Sequence, residues 1–387
     1  MKKVMTIFGT RPEAIKMAPL VLALKKNAPE LTSRVVVTAQ HREMLDQVLD
    51  FFHITPDYDL DIMQNRQSLT SITVRVLKGL EAVLKKEAPD VVLVHGDTTT
   101  TMAASLAAFY QKIPVGHVEA GLRTNDKYAP YPEEMNRKMA GALADLHFAP
   151  TINAKENLIG EGVDEEAIFV TGNTAIDALL AVIQDDFTFS SPLLNELSSR
   201  GQKMVLVDAH RRENLGEPME EICRAIKRLV SAHQELEVVF SVHKNPQVSE
   251  VVEKNLGKEA RIHLLSPLDY VQWANLMNQA WLIITDSGGL QEEAPALQKP
   301  VLLLRNTTER PEAIDAKTVW MVGTKEKAIY EASCRLLSDK EHYGTMCRAV
   351  NPYGDGYAAQ RIVKALLYAL GEAKEAPDEF SLQNKRE

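Results

Sequence analysis

Short apolar runs alternate with longer amphipathic stretches along the whole chain. Runs rich in β-branched residues predict buried strands at residues 4–8, 35–38, 91–95, 115–118, 168–171, 204–207, 238–242, 282–285 and 301–304. Stretches with helical spacing of apolar positions lie between them, for example at 69–84 and 219–232. Since strands that are apolar throughout need cover on both faces, the alternation predicts an α/β chain of two Rossmann-like, doubly wound units with parallel sheets.

A polar, acidic segment at 184–191, which ends in the break signal Ser-Ser-Pro, interrupts this alternation. The strand pattern restarts at Met204, so the seam lies within 171–203. We therefore predict a first domain at 1–170 and a second at 171–356. Two open parallel sheets bind ligands at the carboxyl ends of their strands, so we expect the active site in the interdomain cleft.

Composition excludes several classes of protein. The hydrophobic fraction of 45% and the charged fraction of 25% are typical of a globular chain. The net charge of −9 argues against a dedicated nucleic-acid-binding protein, although a local cluster of arginines and lysines can still bind a small anion. Three cysteines without a CxxC pair indicate a reducing compartment, and no apolar run is long enough for a membrane span. We expect a cytoplasmic protein that binds neither nucleic acid nor membrane.

Two motifs that suggest cofactors are weak. Gly354-Asp355-Gly356 resembles part of a dinucleotide fingerprint but lacks the preceding strand, and the first strand-to-helix turn has only one glycine. Asp59-Leu60-Asp61 matches the DxD motif of some metal-dependent sugar transferases, but it lies in an acidic loop. No His and Cys residues pair at metal-ligand spacing, so we predict neither a metal nor a bound cofactor.

Polar residues follow several predicted strands of the first domain. Arg11 and Lys16 lie at the start of the first helix, where cationic side chains and helix amides favour an anion. Asp97 and Glu119 each follow a strand, and Glu133 opens a later helix. If these three carboxylates converge, one can hold a proton while another acts as a base.

A structural interpretation of the same residues stays open, because the acids could form salt bridges with Arg123 and Arg137. Capping of a helix by Thr98 would likewise explain the turn that contains Asp97.

The second domain carries the features of a phosphate site. Ser287-Gly288-Gly289 follows a strand and opens a helix, so its backbone amides could face an anion. Glu292 or Glu293, one turn further on, is placed to accept ribose hydroxyls. Together with Arg11, Arg211 and Arg310, this turn predicts a diphosphate bound across the cleft.

Seven segments in order resemble the non-hydrolysing bacterial UDP-N-acetylglucosamine 2-epimerases, at 8–16, 94–101, 116–124, 210–214, 286–295, 308–313 and 351–356. The resemblance implies a glycosyltransferase-B-like fold, in which a last helix at about 357–375 packs back on the first domain. It implies interconversion of UDP-N-acetylglucosamine and UDP-N-acetylmannosamine by elimination and re-addition of UDP through 2-acetamidoglucal. It also implies a homodimer without NAD or metal, whose product supplies cell-surface polysaccharides.

The resemblance also implies roles for individual residues. The expected catalytic residues are Asp97, Glu119, Glu133 and His210. The expected substrate-binding residues are Arg11, Lys16, Arg137, Ser287, Gly288, Gly289, Glu292, Glu293 and Arg310. An activator site for a second UDP-N-acetylglucosamine would comprise Gln40, Glu43, Arg66, Arg211 and His243. This chain departs from the family pattern at Glu43, where some members have Gln, and at Asp208, where Thr is more usual.

Three other functions stay open. A glycosyltransferase could share this fold, since function depends on the site rather than on the architecture. A hydrolysing epimerase would release UDP, but it often carries an extra kinase domain that has no room here. A non-catalytic sensor of nucleotide sugars would not need the three acids, and all three are present.

Overall fold

The structure is a computed structural model that describes residues 1–27, 30–39, 42–64 and 67–381, without the side chains of 42–44. The described chain forms two compact units. The first comprises Met1–Ala181 together with the described residues from Tyr353 onward, and the second comprises Val182–Pro352. No helix in the described part of the chain is long and apolar enough to cross a membrane.

The first unit contains a seven-stranded sheet whose strand pairs are all parallel. Its strands are β1 (Lys2–Phe8), β2 (Leu31–Val37), β3 (Tyr58–Asp59), β4 (Val91–His95), β5 (Val115–Val118), β6 (Leu146–Ala149) and β7 (Ile168–Val170). The order across the sheet is β3-β2-β1-β4-β5-β6-β7. The strand order reverses between β1 and β4, and ligands of such sheets bind beside that point.

The second unit repeats this architecture with six strands in parallel pairs. They are β8 (Lys203–Asp208), β9 (Leu236–Ser241), β10 (Ile262–Leu265), β11 (Leu282–Thr285), β12 (Val301–Leu303) and β13 (Val319–Met321). The order is β10-β9-β8-β11-β12-β13, so the reversal lies between β8 and β11.

Helices cover the sheets and bury their apolar faces. In chain order they are α1 (Arg11–Lys26), α2 (Arg42–Phe51), α3 (Leu69–Glu87), α4 (Thr99–Tyr110), α5 (Glu133–Leu143), α6 (Ile152–Gly160), α7 (Thr174–Val182), α8 (Pro192–Ser199), α9 (Glu217–Ala232), α10 (Pro246–Leu256), α11 (Tyr270–Gln279), α12 (Leu290–Ala296), α13 (Pro311–Asp315), α14 (Glu326–Ser338), α15 (Lys340–Arg348) and α16 (Ala358–Ala369). In the first unit, Met5 and Val92 of the sheet pack with Val76 and Leu80 of α3 in one buried cluster. Burial of both sheet faces explains why the strands are apolar throughout.

The predicted fold class is confirmed, because both units are doubly wound parallel sheets. Each strand predicted from the hydrophobic pattern is present. The strands β3, β6, β10 and β13 were not predicted, because they are very short or carry a polar or large aromatic residue within the run, as His147 does in β6 and His263 in β10.

The unit boundaries differ from the predicted divisions at 170 and 356. The helix α7, apart from its last residue, belongs to the first unit, where Asp177 accepts the N–H groups of Ala358 and Ala359 at the start of α16. Asp177 is buried, and burial raises its pKa to about 6. The helix α16 lies in the first unit, as the resemblance implied, and it packs against α1.

Candidate active site

A buried glutamate joins two loops at the carboxyl edge of the first sheet. Glu13 accepts the N–H groups of Gly9 at 3.1 Å and Thr10 at 2.8 Å, which completes a capping box at the start of α1. Its other oxygen accepts the hydroxyls of Thr98 at 2.8 Å and Thr101 at 3.2 Å. Burial raises the pKa of Glu13, although these hydrogen bonds oppose the rise. Glu13 was not assigned a role from the sequence, in which its one signal is the Thr-x-x-Glu spacing.

The carboxylate of Glu119 is surrounded by hydrogen-bond donors. The residue follows β5 with a φ of 61°, a left-handed conformation that is unusual outside glycine and is concentrated at functional sites. Lys16 Nζ contacts Oε2, Asn173 Nδ2 donates to the same oxygen at 3.0 Å, and His95 Nε2 lies 3.7 Å away. Burial alone would raise the pKa of Glu119, but the Lys16 ammonium holds it at about 2. Glu119 is therefore ionised, and Lys16 is its counter-ion.

Asp97 is held by the first turns of α5. Arg137 Nη2 donates to its carboxylate at 2.6 Å, and Asn136 Nδ2 donates to its carbonyl oxygen at 2.9 Å. Arg137 also binds Glu134 at 3.1 Å, so this guanidinium, expected to bind substrate, bridges two protein carboxylates. The salt-bridge interpretation thus describes Asp97, whereas Arg123 pairs with Glu161, which is not one of the three acids.

Glu133 differs from the other two acids. It is the first residue of α5, where the helix dipole favours negative charge. Its Oε2 is buried and has no hydrogen-bond partner among the residues that the structure describes. The three acids thus stand in three environments: Asp97 paired with arginine, Glu119 paired with lysine, and Glu133 with one carboxylate oxygen unpaired.

In the second unit, Asp286 organises the loop that carries His210. Asp286 lies at the end of β11 and is fully buried. It accepts the N–H groups of His210 and Arg211, each at 2.9 Å, and Asn214 Nδ2 at 2.8 Å. Asp286 was not assigned from the sequence, although β8 and β11 are neighbours and their carboxyl ends meet at one edge.

The ring of His210 lies against a second carboxylate and a second imidazole. Asp208 Oδ1 is 3.3 Å from Nδ1 of His210, and Asp286 Oδ1 is 3.8 Å from it. The Asp208 carboxylate raises the pKa of His210, against the effect of burial. The His243 ring stacks on His210 with centroids 5.3 Å apart. Asp208 therefore favours the imidazolium form of His210, a suitable partner for a phosphate.

Three arginines share one carboxylate beside the Ser287–Gly289 turn. Arg310 Nη1 and Arg305 Nη1 approach Glu309 at 2.6 and 2.7 Å, and Arg211 Nη2 lies at 3.5 Å. Burial would raise the pKa of Glu309, but Arg310 and Arg305 hold it at about 2. A Cβ at Gly288 would lie 2.6 Å from Arg310 Nη1, so the cationic cluster packs directly on this turn. Arg310 Nε also binds Glu292 at 2.6 Å and Arg305 Nε lies 3.3 Å from Glu213, so three carboxyl groups oppose the three guanidinium groups.

The two candidate ribose ligands differ in exposure. Glu292 is 4% exposed and accepts a hydrogen bond from Arg310 Nε at 2.6 Å, whereas Glu293 is only partly buried. Glu293 is thus the more accessible of the two. In the first unit, Arg11 makes no hydrogen bond or ion pair with the described residues, so its guanidinium is available to an anion.

The structure describes only part of the expected activator site. Gln40 and Arg66 lie outside the described residues, as does the side chain of Glu43. Of the other two members, Arg211 Nε donates to the carbonyl of Asp286, and His243 stacks on His210. Among the residues described, no three His, Cys, Asp or Glu side chains are arranged to hold a metal ion.

Known proteins resemble this chain over most of its length. The sequence profile of the UDP-N-acetylglucosamine 2-epimerase family matches residues 23–367. The UDP-N-acetylglucosamine 2-epimerase of Bacillus subtilis is 57% identical over 379 residues, which cover 98% of each chain. The UDP-GlcNAc 2-epimerase of Neisseria meningitidis, solved with UDP-GlcNAc, is 48% identical with a TM-score of 0.83 over 94% of this chain and 99% of that one. The S. aureus MnaA–UDP structure is 51% identical with a TM-score of 0.86 over 98% and 100%.

These neighbours share the two parallel-sheet units, which are consistent with the glycosyltransferase-B-like fold implied by the sequence. Both the family match and the identities extend over nearly the whole chain. The chain therefore belongs to the UDP-N-acetylglucosamine 2-epimerase family.

Proposed function

We propose that the protein interconverts UDP-N-acetylglucosamine and UDP-N-acetylmannosamine by eliminating UDP and adding it back to bound 2-acetamidoglucal. The observation that carries this proposal is the set of three acids in the first unit, each in a different electrostatic environment. The related Neisseria meningitidis enzyme was solved with UDP-GlcNAc, which supports the choice of substrate.

The chemistry explains why both cations and acids are needed. The hydrogen on carbon 2 is barely acidic until the bond between carbon 1 and the UDP oxygen begins to break. That bond gives its electron pair to UDP, carbon 1 becomes oxocarbenium-like, and a base then takes the proton from carbon 2 as the double bond forms. Re-addition places a proton on the opposite face of carbon 2 and returns UDP to carbon 1. The enzyme must therefore stabilise the departing diphosphate, and it must remove a proton from carbon 2 and return one to the opposite face.

Residues of the second unit suit the diphosphate. Arg211, Arg305 and Arg310 cluster around Glu309 beside the Ser287–Gly289 turn, and the Asp208 carboxylate raises the pKa of His210, which favours the cationic imidazolium. Preorganised positive charge stabilises the leaving group as it becomes more negative. We assign the ribose hydroxyls to Glu293, because Glu292 is buried against Arg310.

Residues of the first unit suit the proton transfer at carbon 2. The Lys16 ammonium keeps Glu119 ionised. Because the pKa of Glu119 is then about 2, this carboxylate is a weak base. A diphosphate that attracts the Lys16 ammonium would remove this counter-ion and raise the pKa of Glu119, so the base would become effective only with substrate present. We assign proton exchange at carbon 2 to Glu119 and Glu133, and we assign Asp97, whose carboxylate Arg137 holds at 2.6 Å, to stabilisation of the positive sugar.

Solvent labelling tests the reaction. In heavy water, NMR of UDP-N-acetylglucosamine incubated with the enzyme alone should show epimer formation with deuterium at carbon 2. The variants Asp97→Asn, Glu119→Gln and Glu133→Gln should keep UDP affinity in calorimetry and lose most turnover. Glu161→Gln is the matched control, because this carboxylate pairs with Arg123 and is not one of the three acids. Unlabelled epimer, or normal turnover in all three acid variants, would refute the mechanism.

We also propose a homodimer. Phe109 and Tyr110, 57% and 64% exposed at the end of α4, lie beside a cavity of about 670 Å³, and Met139 of α5 is 40% exposed. Large exposed apolar side chains of this kind favour an interface. Light scattering coupled to size exclusion should give twice the mass of one chain, and Tyr110→Glu should reduce it. A monomeric wild type would contradict this assembly.

A further inference from the structure

Asn173 links the carboxylate of Glu119 to the backbone. It lies between β7 and α7 and is 2% exposed. Its Oδ1 accepts the N–H of Ala175 at 3.0 Å, and its own N–H donates to the carbonyl of Tyr353 at 2.7 Å. Because a backbone donor fixes Oδ1, the amide nitrogen must face Glu119, to which it donates at 3.0 Å.

The turn that holds Asn173 is closely packed. Gly172 precedes it with a φ of 83°, a conformation that side-chain-bearing residues rarely adopt. A Cβ at this position would lie 3.3 Å from the Cα of Gly354 and 3.5 Å from the carbonyl oxygen of Tyr353. The returning chain therefore packs directly on the turn, and Asn173 is held by backbone groups at both its side-chain oxygen and its own N–H.

The two oxygens of Glu119 have different surroundings. Oε2 receives both Lys16 and Asn173. Oε1 receives no hydrogen bond from the described residues, and it lies 3.6 Å from the position of a Cβ at Gly96, the residue before Asp97. Oε1 is thus the oxygen left for a reacting group.

We propose that Asn173 is a positioning residue for Glu119, which holds Oε2 so that Oε1 exchanges the proton at carbon 2 of the sugar. This inference rests on the proposed role of Glu119. Lys16 can leave for the diphosphate, whereas Asn173 is tied to Ala175 and Tyr353 and stays. A neutral amide orients the carboxylate without the fixed positive charge that would weaken it as a base.

Asn173→Asp provides the sharpest test, because it keeps the shape and the acceptor for Ala175. It replaces the donor by a carboxylate oxygen 3.0 Å from Glu119 Oε2, and two carboxylates at this distance share a proton, which raises the pKa of the pair. We expect kcat at neutral pH to fall by about 100-fold or more, with KM within about threefold of wild type. The acid limb of the kcat–pH profile should move to higher pH.

Asn173→Ser is the second variant. The serine hydroxyl can still accept a backbone N–H at the start of α7, but it does not reach Glu119. We therefore expect kcat to fall by about 10- to 100-fold, while the acid limb of the kcat–pH profile stays in place. Asn195→Asp is the matched control. In the second unit, the Asn195 side chain accepts the N–H of Phe189 and donates to its carbonyl oxygen. Asn195→Asp therefore removes a structural hydrogen-bond donor without affecting Glu119. It should change stability but neither kcat nor the pH profile.

The outcomes separate this inference from the proposed function. Wild-type kcat and pH profile in Asn173→Asp would overturn it. If that variant does not fold, Asn173→Ser decides: a normal kcat, or a loss of UDP affinity equal to the loss of kcat, would overturn the positioning role. Normal turnover in Glu119→Gln would refute the role of Glu119 itself and thus the proposed mechanism.

Discussion

Replacement of Glu13 tests whether its carboxylate holds the first unit together as an acceptor rather than as a charge. One oxygen accepts two backbone N–H groups and the other accepts two threonine hydroxyls. In Glu13→Ala the hydroxyls can rotate to other partners, but the amides of Gly9 and Thr10 are left unpaired. A buried donor without a partner costs about 1 to 3 kcal/mol, so we expect Glu13→Ala to lose about 2 to 6 kcal/mol.

Glu13→Gln should be far milder. The glutamine oxygen can accept both backbone amides, and its NH₂ can donate to the hydroxyl oxygens of Thr98 and Thr101, so every group keeps a partner. We expect a loss below about 1 kcal/mol.

The pH dependence has a defined sign. The pKa of Glu13 is higher in the folded than in the unfolded state, so its contribution to stability is full below the unfolded pKa. That contribution is lost as pH rises through the folded pKa, and Glu13→Gln should remove this slope.

Urea denaturation followed by far-UV circular dichroism, together with hydrogen exchange of the amides at 9–10, measures these changes. The three tryptophans lie at 273, 281 and 320, all in the second unit, so their fluorescence monitors that unit separately. Equal destabilisation by the Ala and Gln variants would show that the charge matters more than the acceptor geometry. A cost below about 1 kcal/mol for Glu13→Ala would show that the two amides find other partners.

Four further predictions follow from buried or paired groups. Asp208→Asn removes the carboxylate that raises the pKa of His210, so the alkaline limb of the kcat–pH profile should move to lower pH; an unchanged profile would contradict the pairing. Asp286→Ala leaves the backbone N–H groups of His210 and Arg211 unpaired and removes one of the two acceptors of Asn214 Nδ2, so calorimetry should show UDP affinity at least about tenfold weaker, whereas unaltered affinity would contradict its role. Phe148→Ala should cost about 3 to 5 kcal/mol by urea denaturation, because the ring is fully buried, and a smaller loss would indicate collapse of the cavity. Asp177, with its pKa raised to about 6, contributes stability at low pH that is lost as pH rises through that value, so Asp177→Asn should flatten the dependence of unfolding free energy on pH; an unaltered slope would contradict the assignment.

The strand-end residues of the site were predictable because they obey a local rule. Apolar runs define parallel strands, and the carboxyl ends of neighbouring strands meet at one edge. Asp97 and Glu119 follow β4 and β5, and these strands are paired in the sheet. His210 and Asp286 similarly follow β8 and β11. The hydrophobic pattern was thus enough to place these residues at the carboxyl edge of each sheet.

The partners of these residues were not predictable in the same way. The sequence left open a salt bridge between Arg137 and one of the three acids but did not say which acid; the partner is Asp97, which is 40 residues away in the chain. Asn173 carried no motif, and its contact with Glu119 depends on a turn after β7. Glu309, which lies beside the predicted phosphate site, was not assigned a role from the sequence. Each pairing depends on which side chains meet in space, and no local spacing encodes that.

The sequence alone was sufficient for the α/β class, the two sheets and the sheet edge on which the candidate catalytic residues lie, because hydrophobic periodicity and strand parallelism act over short stretches. The tertiary structure was needed for the state of each group. It gives Glu119 a lysine counter-ion and an amide donor, leaves one oxygen of Glu133 without a partner in the described part of the chain, and gives His210 an aspartate partner. Protonation and orientation depend on burial and on charges within a few ångströms, and folding alone brings those groups together.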